Sequence, residues 1–341
     1  MSQETQEWLN RHTLIGFTEK RGQAWHYRQD LQSDESNHYV GAIPVEDVRR
    51  RLLSWEAQVA PMFVGFTNAD GEMEYTKQND RLAVVRSDNQ DVLGVFKDGY
   101  QIHQYGEWLI DAVANIVDDS NLQIGQAGLL KKGAVCWVSI ELPDNIEVGD
   151  TGLTVRPQLL ATTSHNGSLA TTHKLTNTIV VCDNTLAMGL SDGLTSHKTR
   201  HSKNSSFKLA TVRDALQIVH QMGDLVSAEL QRMIEVSVTD KEFQDVVSRL
   251  VPIGEEGTNE GARTKMGNKQ DALWNLWQND ARVSPWRNTG FGVVQSFNTY
   301  SHHISGTDRG RAQRNTANSI LGKTAQQDEE VIRALELVLA R

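Results

Sequence analysis

Apolar and polar positions alternate through much of the first half of the chain and recur every three or four residues in the second. RLAVVRSD (81–88) and DVLGVFKD (91–98) alternate on either side of Asn89 and predict two paired strands. Met62 to Thr67 also reads as a strand, and NADGE after it as an Asp-Gly turn. LQIGQAGLL and AVCWVSIELP flank a KKG turn and predict a hairpin. GLTVRPQLLATTS and TTHKLTNTIVVC give two more strands, split by His165-Asn166-Gly167.

Helical spacing interrupts this pattern. Val48, Leu52 and Trp55 share a stripe after Pro44, with acidic residues first and arginines later, as a helix dipole favours. Leu109, Ala112, Val113 and Ile116 predict a helix crossing the strands. Beyond Phe207, the residues Leu209, Val212, Leu216, Val219, Val226, Leu230 and Met233 form a heptad-like seam, with Gly223 in its one missing place. Thr239 and Glu242 make a capping box. GEEGTNEG reads as a loop. Helices are expected at about 264–280, 290–303 and 327–340, with the basic TDRGRAQRN segment joining the last two.

These elements predict an α+β fold: a mostly antiparallel sheet with a crossing helix, then a long amphipathic helix and a helical C-terminal part. The expected organisation is an irregular, partly helical segment over 1–75, an α+β core over 76–236 and a helical region over 237–341.

Composition narrows the class. With 341 residues, 38% hydrophobic and 23% charged, the chain can bury a substantial core, in one large or two modest domains. No run approaches 18 apolar residues, so no membrane span is expected. MSQETQEWLNRH lacks a basic patch followed by an apolar core, so no signal peptide is expected. Cys136 and Cys182 sit in apolar strands and read as reduced, buried thiols of a cytoplasmic protein.

The formal net charge of −9 is unevenly spread. Residues 1–160 hold 24 acidic and 14 basic side chains, and the remainder 19 and 20. Gly193 to Arg213 contains no acidic residue and carries Lys198, Arg200, Lys203, Lys208 and Arg213. Arg309, Arg311 and Arg314 form a second cluster. Small polar spacers in KTRHSKNSSFK would let long cations and backbone amides reach phosphates. The alternative is a solvated surface loop. Trp274, Trp277 and Trp286 lie near these cations and could stack bases, although the area a tryptophan buries favours core packing.

Other motifs fall away. Ala317-x4-Gly322-Lys323-Thr324 nearly matches a phosphate-binding loop, but no strand precedes it and Ala replaces the first Gly. His197 and His201 stand four apart without a third ligand nearby and read as solvated; the His302-His303 pair is equally weak. No metal or cofactor is expected. Cys182-Asp183 with His165 or His173 reads as structural, because a reactive thiol needs an exposed, electropositive setting.

Four stretches carry a resemblance. LAVVRSDNQDVLGVFKDGYQIHQ (82–104), VRPQLLATTSHNGSLA, IVVCDNTLAMGL and KTRHSKNSSFKLATVRDAL resemble elements of the phage/plasmid-like protein family, a domain of unknown function. Asn166 stands where that family usually has Asp, and WRNTGFGVVQSFNTYSHH is a looser match to a further element. The resemblance implies an origin in a phage, prophage or plasmid and work on DNA replication or recombination. The core is also similar, at the level of fold, to Rad52-like annealing proteins.

Charge and resemblance together lead us to expect a non-enzymatic, single-stranded DNA-binding or annealing protein that acts as a homo-oligomer without a membrane. Lys198, Arg200, Lys203 and Lys208 would line a groove between sheet and long helix, and Arg309, Arg311 and Arg314 would extend it. The alternatives are a factor that modulates a host protein, or a site built from His165, Asn166, His173, Asp183 and Asn184.

Overall fold

In a computed structural model of the chain, the residues described are 6–21, 34–118, 122–141, 145–179, 184–186, 196–199, 201, 227–254 and 259–340. Two compact units divide them. The first comprises 1–143, 159–174 and 195–217, and the second 144–158, 175–194 and 218–341. The class is α+β, with antiparallel strand pairing and helices concentrated in the C-terminal part.

In the first unit α1 (Gln6–His12) leads into β1 (Thr13–Ile15), and α2 (Thr18–Arg21) follows. After Pro44 comes α3 (Val45–Leu52). Its Val48 and Leu52 are buried, worth about 1.5–3 kcal/mol each. Glu46 and Asp47 occupy its first turn and Arg49 to Arg51 its last, matching the dipole. Strands β2 (Ala57–Thr67), β3 (Met73–Arg86) and β4 (Val92–Lys97) form one sheet in that order.

The pair expected at 81–98 is therefore part of a longer structure. Among the described residues β4 pairs only with Arg81 to Val85 of β3, while Met62–Thr67 and Met73–Gln78 run on as a two-stranded ribbon. The polar run MEYTKQND shows no apolar alternation, and cross-strand hydrogen bonding carries the strand through it.

A π-turn over Gly106–Ile110 enters α4 (Asp111–Asp118), which packs on the sheet as the expected crossing helix. β5 (Gln123–Leu130) and β6 (Val135–Glu141) pair antiparallel from Gln123↔Glu141 to Leu130↔Val135, and every residue of β6 is buried. β7 (Ile146–Val148), β8 (Leu153–Ser164), β9 (Thr171–Ile179), β10 (Asn184–Leu186) and β11 (Ser196–Thr199) complete the strands. The order is β1-β5-β6-β8-β9, with β11 also on β9. The division between units falls within β8 and β9; β7 pairs with the Leu153–Val155 end of β8, and β10 with the Asn177–Ile179 end of β9.

The second unit is otherwise helical. The helix 227–235, α5, buries Leu230 and Met233 of the expected seam; Leu209 to Val226 lie outside the described residues except as sequence. α6 (Asp240–Leu250) starts at the expected capping box, with both Thr239–Glu242 bonds made. α7 (Glu260–Asn279) and α8 (Gly290–Thr299) follow, then α9 (Asp308–Ile320) and α10 (Lys323–Leu339). All ten residues of α8 are buried, and α7 and α10 pack against it. Trp277 stacks on Phe243 at 4.4 Å in this core, so it is no stacking platform for bases. Gly322-Lys323-Thr324 joins two helices, without the strand a phosphate-binding loop needs.

Candidate anion-binding site

Of the cations singled out in the sequence, Lys198 lies in β11 opposite Thr172 of β9, in the first unit. Arg200, Lys203 and Lys208 lie outside the described residues. Arg309, Arg311 and Arg314 share one helix, α9, in the second unit. TDRGRAQRN, expected as a connector, enters that helix at Asp308 with Thr307 as its N-cap. The helix sequence, DRGRAQRNTANSI, holds too few apolar residues to show a helical period, so the pattern gives no sign of the helix.

The end of α8 sets the position of these arginines. α8 is N-capped by Thr289, whose Oγ1 accepts from the Gly292 amide at 3.1 Å. It runs on as a π-turn over Tyr300–Ile304 and stops at Ser305. A helix end leaves carbonyls without intrahelical donors and concentrates partial negative charge. The chain reverses at Gly306, φ +77°, and α9 returns its arginines to those carbonyls. Arg314 Nη2 donates to Ser301 O at 3.1 Å and Ser305 O at 2.6 Å. Arg311 donates to Ile304 O, Ser305 O and Gly306 O, each at 3.3 Å. Asn315 Nδ2 donates to His302 O at 3.0 Å.

Both guanidiniums thus meet the partial negative charge of a helix end, and other titratable groups lie close to them. Burial, and then the Arg311 guanidinium, push Arg314 below the usual arginine range. His302 is lowered to about 4 by burial, then by His303 and Arg314, so it is neutral at pH 7. Lys269 places its ammonium 5.4 Å from the Tyr300 ring centroid, and burial lowers it too. The arrangement fixes guanidiniums at a partly exposed helix end at an electrostatic cost that a bound anion would relieve.

A different cluster, missed by sequence reasoning, occupies the first unit. Phe96, Tyr100, His201, His103 and Trp108 form a column of rings with successive centroid distances of 3.6, 5.4, 3.9 and 3.5 Å. Tyr100 Oη and His201 Nδ1 are 2.9 Å apart, and His103 Nδ1 lies 2.9 Å from Thr171 Oγ1. His201 Nε2 lies 3.3 Å from Thr163 Oγ1. His201 is therefore not the solvated residue its serine- and lysine-rich surroundings indicate. Nearby, His165 stacks on Tyr105 at 3.9 Å, with Trp55 against both rings.

Burial lowers His103 and His165 to about 3 and His201 to about 4, with neighbouring imidazoles adding to the effect at His103 and His165. All three are neutral at pH 7; His103 and His201 stack on each other, and His165 on Tyr105. Among the described residues no group of three or more His, Cys, Asp or Glu is placed to hold a metal ion. The cluster ties residue 201 to strands β8 and β9 and does not converge on a reactive atom. His173 pairs with His197 between β9 and β11, while Asp183 lies outside the described residues. Tyr100, His103, His165 and His201 all fall in segments that carry the family resemblance, and that was the available signal.

A family model described as Domain of unknown function (DUF932) matches residues 92–330. No curated protein and no solved structure matches the chain.

Proposed function

The chain belongs to the family defined by that domain of unknown function, and we propose that it is a non-catalytic protein that binds single-stranded nucleic acid through its backbone phosphates. The observation that carries the reading is the Arg311–Arg314 pair: two guanidiniums pinned by carbonyls, with burial and then the Arg311 charge disfavouring the charge on Arg314. A phosphate placed between them removes that repulsion and finds donors already oriented, so little side-chain entropy remains to be lost. The acid-free stretch from Gly193 to Arg213 is a second cationic segment of the same chain. DNA in the cytoplasm of a bacterial host is the substrate we favour, with annealing during phage or plasmid recombination or replication as the role.

Fluorescence anisotropy with labelled oligothymidylate tests this. We expect binding at low salt and a steep loss as salt rises. The Arg311→Gln/Arg314→Gln variant should bind more weakly. Its log–log salt slope should be shallower by about 0.7 per lost phosphate contact. No binding at low salt sinks the proposal. An unchanged slope in a variant of normal melting temperature would move the site away from α9.

A further inference from the structure

The ribbon formed by Met62–Thr67 and Met73–Gln78 lies beyond the reach of β4 and before the family match, which begins at residue 92. An isolated two-stranded ribbon is marginal in water. This one also exposes apolar side chains: Phe63 is 53% exposed, Met73 59% and Tyr75 70%, with Val64 and Phe66 exposed on the opposite face. Exposed apolar groups concentrated in one projecting element mark an interaction surface.

The register shows what would fit it. Phe63↔Lys77, Gly65↔Tyr75 and Thr67↔Met73 are cross-strand pairs, so all six residues share one face. Tyr75 lies across Gly65, with Cε1 3.1 Å from where a Cβ would stand. A side chain there would lift the ring; glycine leaves a flat centre. To one side of that centre stands Phe63, and to the other Met73, both exposed. Charge is graded along the same axis. Asp70, Glu72 and Glu74 sit at the tip, while Lys77, Arg81 and Lys97 outnumber Asp80 and Asp98 toward the base. The acidic tip disfavours a polyanion as occupant.

We propose that this ribbon is a dimerisation arm whose partner is the same ribbon of a second copy, packed antiparallel across a two-fold axis through Tyr75. That rotation sets Phe63 of each arm over Met73 of the other, and each acidic tip over the cationic base of its partner. It is the self-complementarity an isologous contact requires. Phe63, Met73 and Tyr75 are each more than half exposed, so one face per copy gives a small interface, at the low end for a specific contact. A contact of that size makes a weak, transient dimer.

Sedimentation velocity of the full chain without nucleic acid, from 1 to about 100 μM, reads this directly. We expect a monomer–dimer equilibrium that Phe63→Ser/Tyr75→Ser weakens at least tenfold with the melting temperature unchanged, since both residues are exposed. Lys77→Glu alone should weaken it, because like charges then face each other, and adding Glu72→Lys to the same chain should restore it. A monomer throughout, an equilibrium indifferent to the apolar changes, or a charge pair that fails to rescue overturns the proposal. None of these outcomes bears on nucleic-acid binding.

Discussion

His165 is fully buried, and both of its ring nitrogens lack a hydrogen-bond partner among the described residues. A buried polar atom left unpaired costs about 1–3 kcal/mol, so His165→Phe, which keeps the stack on Tyr105, should raise stability at pH 7 by about 1 kcal/mol or more. Urea unfolding checks it; a loss would mean that the nitrogens are bonded after all. The pH dependence has a definite sign. Unfolded histidine takes up its proton near 6.5, whereas His103 and His165 do so near 3 and His201 near 4 in the folded chain. The unfolded state binds more protons between these values. Stability is therefore highest above pH 6.5 and falls as pH drops toward 4, by up to about 1.4 kcal/mol per unit for each histidine. His165→Phe should flatten that fall. At this scale the sequence was least legible: His201 sits among serines and lysines, and nothing local says that Tyr100 and His103, about a hundred residues earlier, will enclose it.

The β5–β6 hairpin shows what an element's sequence does and does not carry. Its apolar runs and KKG turn were evident, but the turn's conformation was not. Lys131, Lys132 and Gly133 all have positive φ, at 52°, 58° and 97°. Two lysines in that region cost about 1–2 kcal/mol each, and long-range bonds hold them. Arg86 Nη1 donates to Lys132 O at 3.0 Å, and Tyr105 Oη donates to Gly133 O at 2.9 Å. Arg86 also pairs with Asp88 and lies over Trp55, 4.1 Å from its centroid. Gly133→Ala should cost about 2 kcal/mol or more, because φ is forbidding and the new Cβ would stand 2.9 Å from Trp55. Thermal melting decides it; a neutral result would place the turn elsewhere. The capping box at α6, by contrast, is wholly local, and for that reason it is legible in the sequence. The β2–β3 ribbon and α9 were only half legible, because polar residues carry them and neighbours supply the period.

For the whole molecule, the decisive quantity is the contrast between a net charge of −9 and a small cationic patch. At physiological salt, fields reach about 8 Å. Within that range an approaching polyanion meets the net acidic charge of the chain, and on the proposed reading only a docked one meets Arg311 and Arg314. Attraction of this kind cannot steer encounter as a uniformly basic face does. Salt should thus act differently on the two rates. Raising it screens the long-range repulsion, which offsets lost attraction during approach, so the association rate with oligothymidylate should change less than about threefold between 50 and 200 mM salt. Dissociation breaks the local phosphate contacts and releases no such offset, so its rate should rise steeply and carry nearly all of the affinity loss. Stopped-flow anisotropy separates the two. An association rate that collapses with salt would mean that a far larger basic surface faces the ligand than α9 provides, and the cations of Gly193 to Arg213 would then have to be its source.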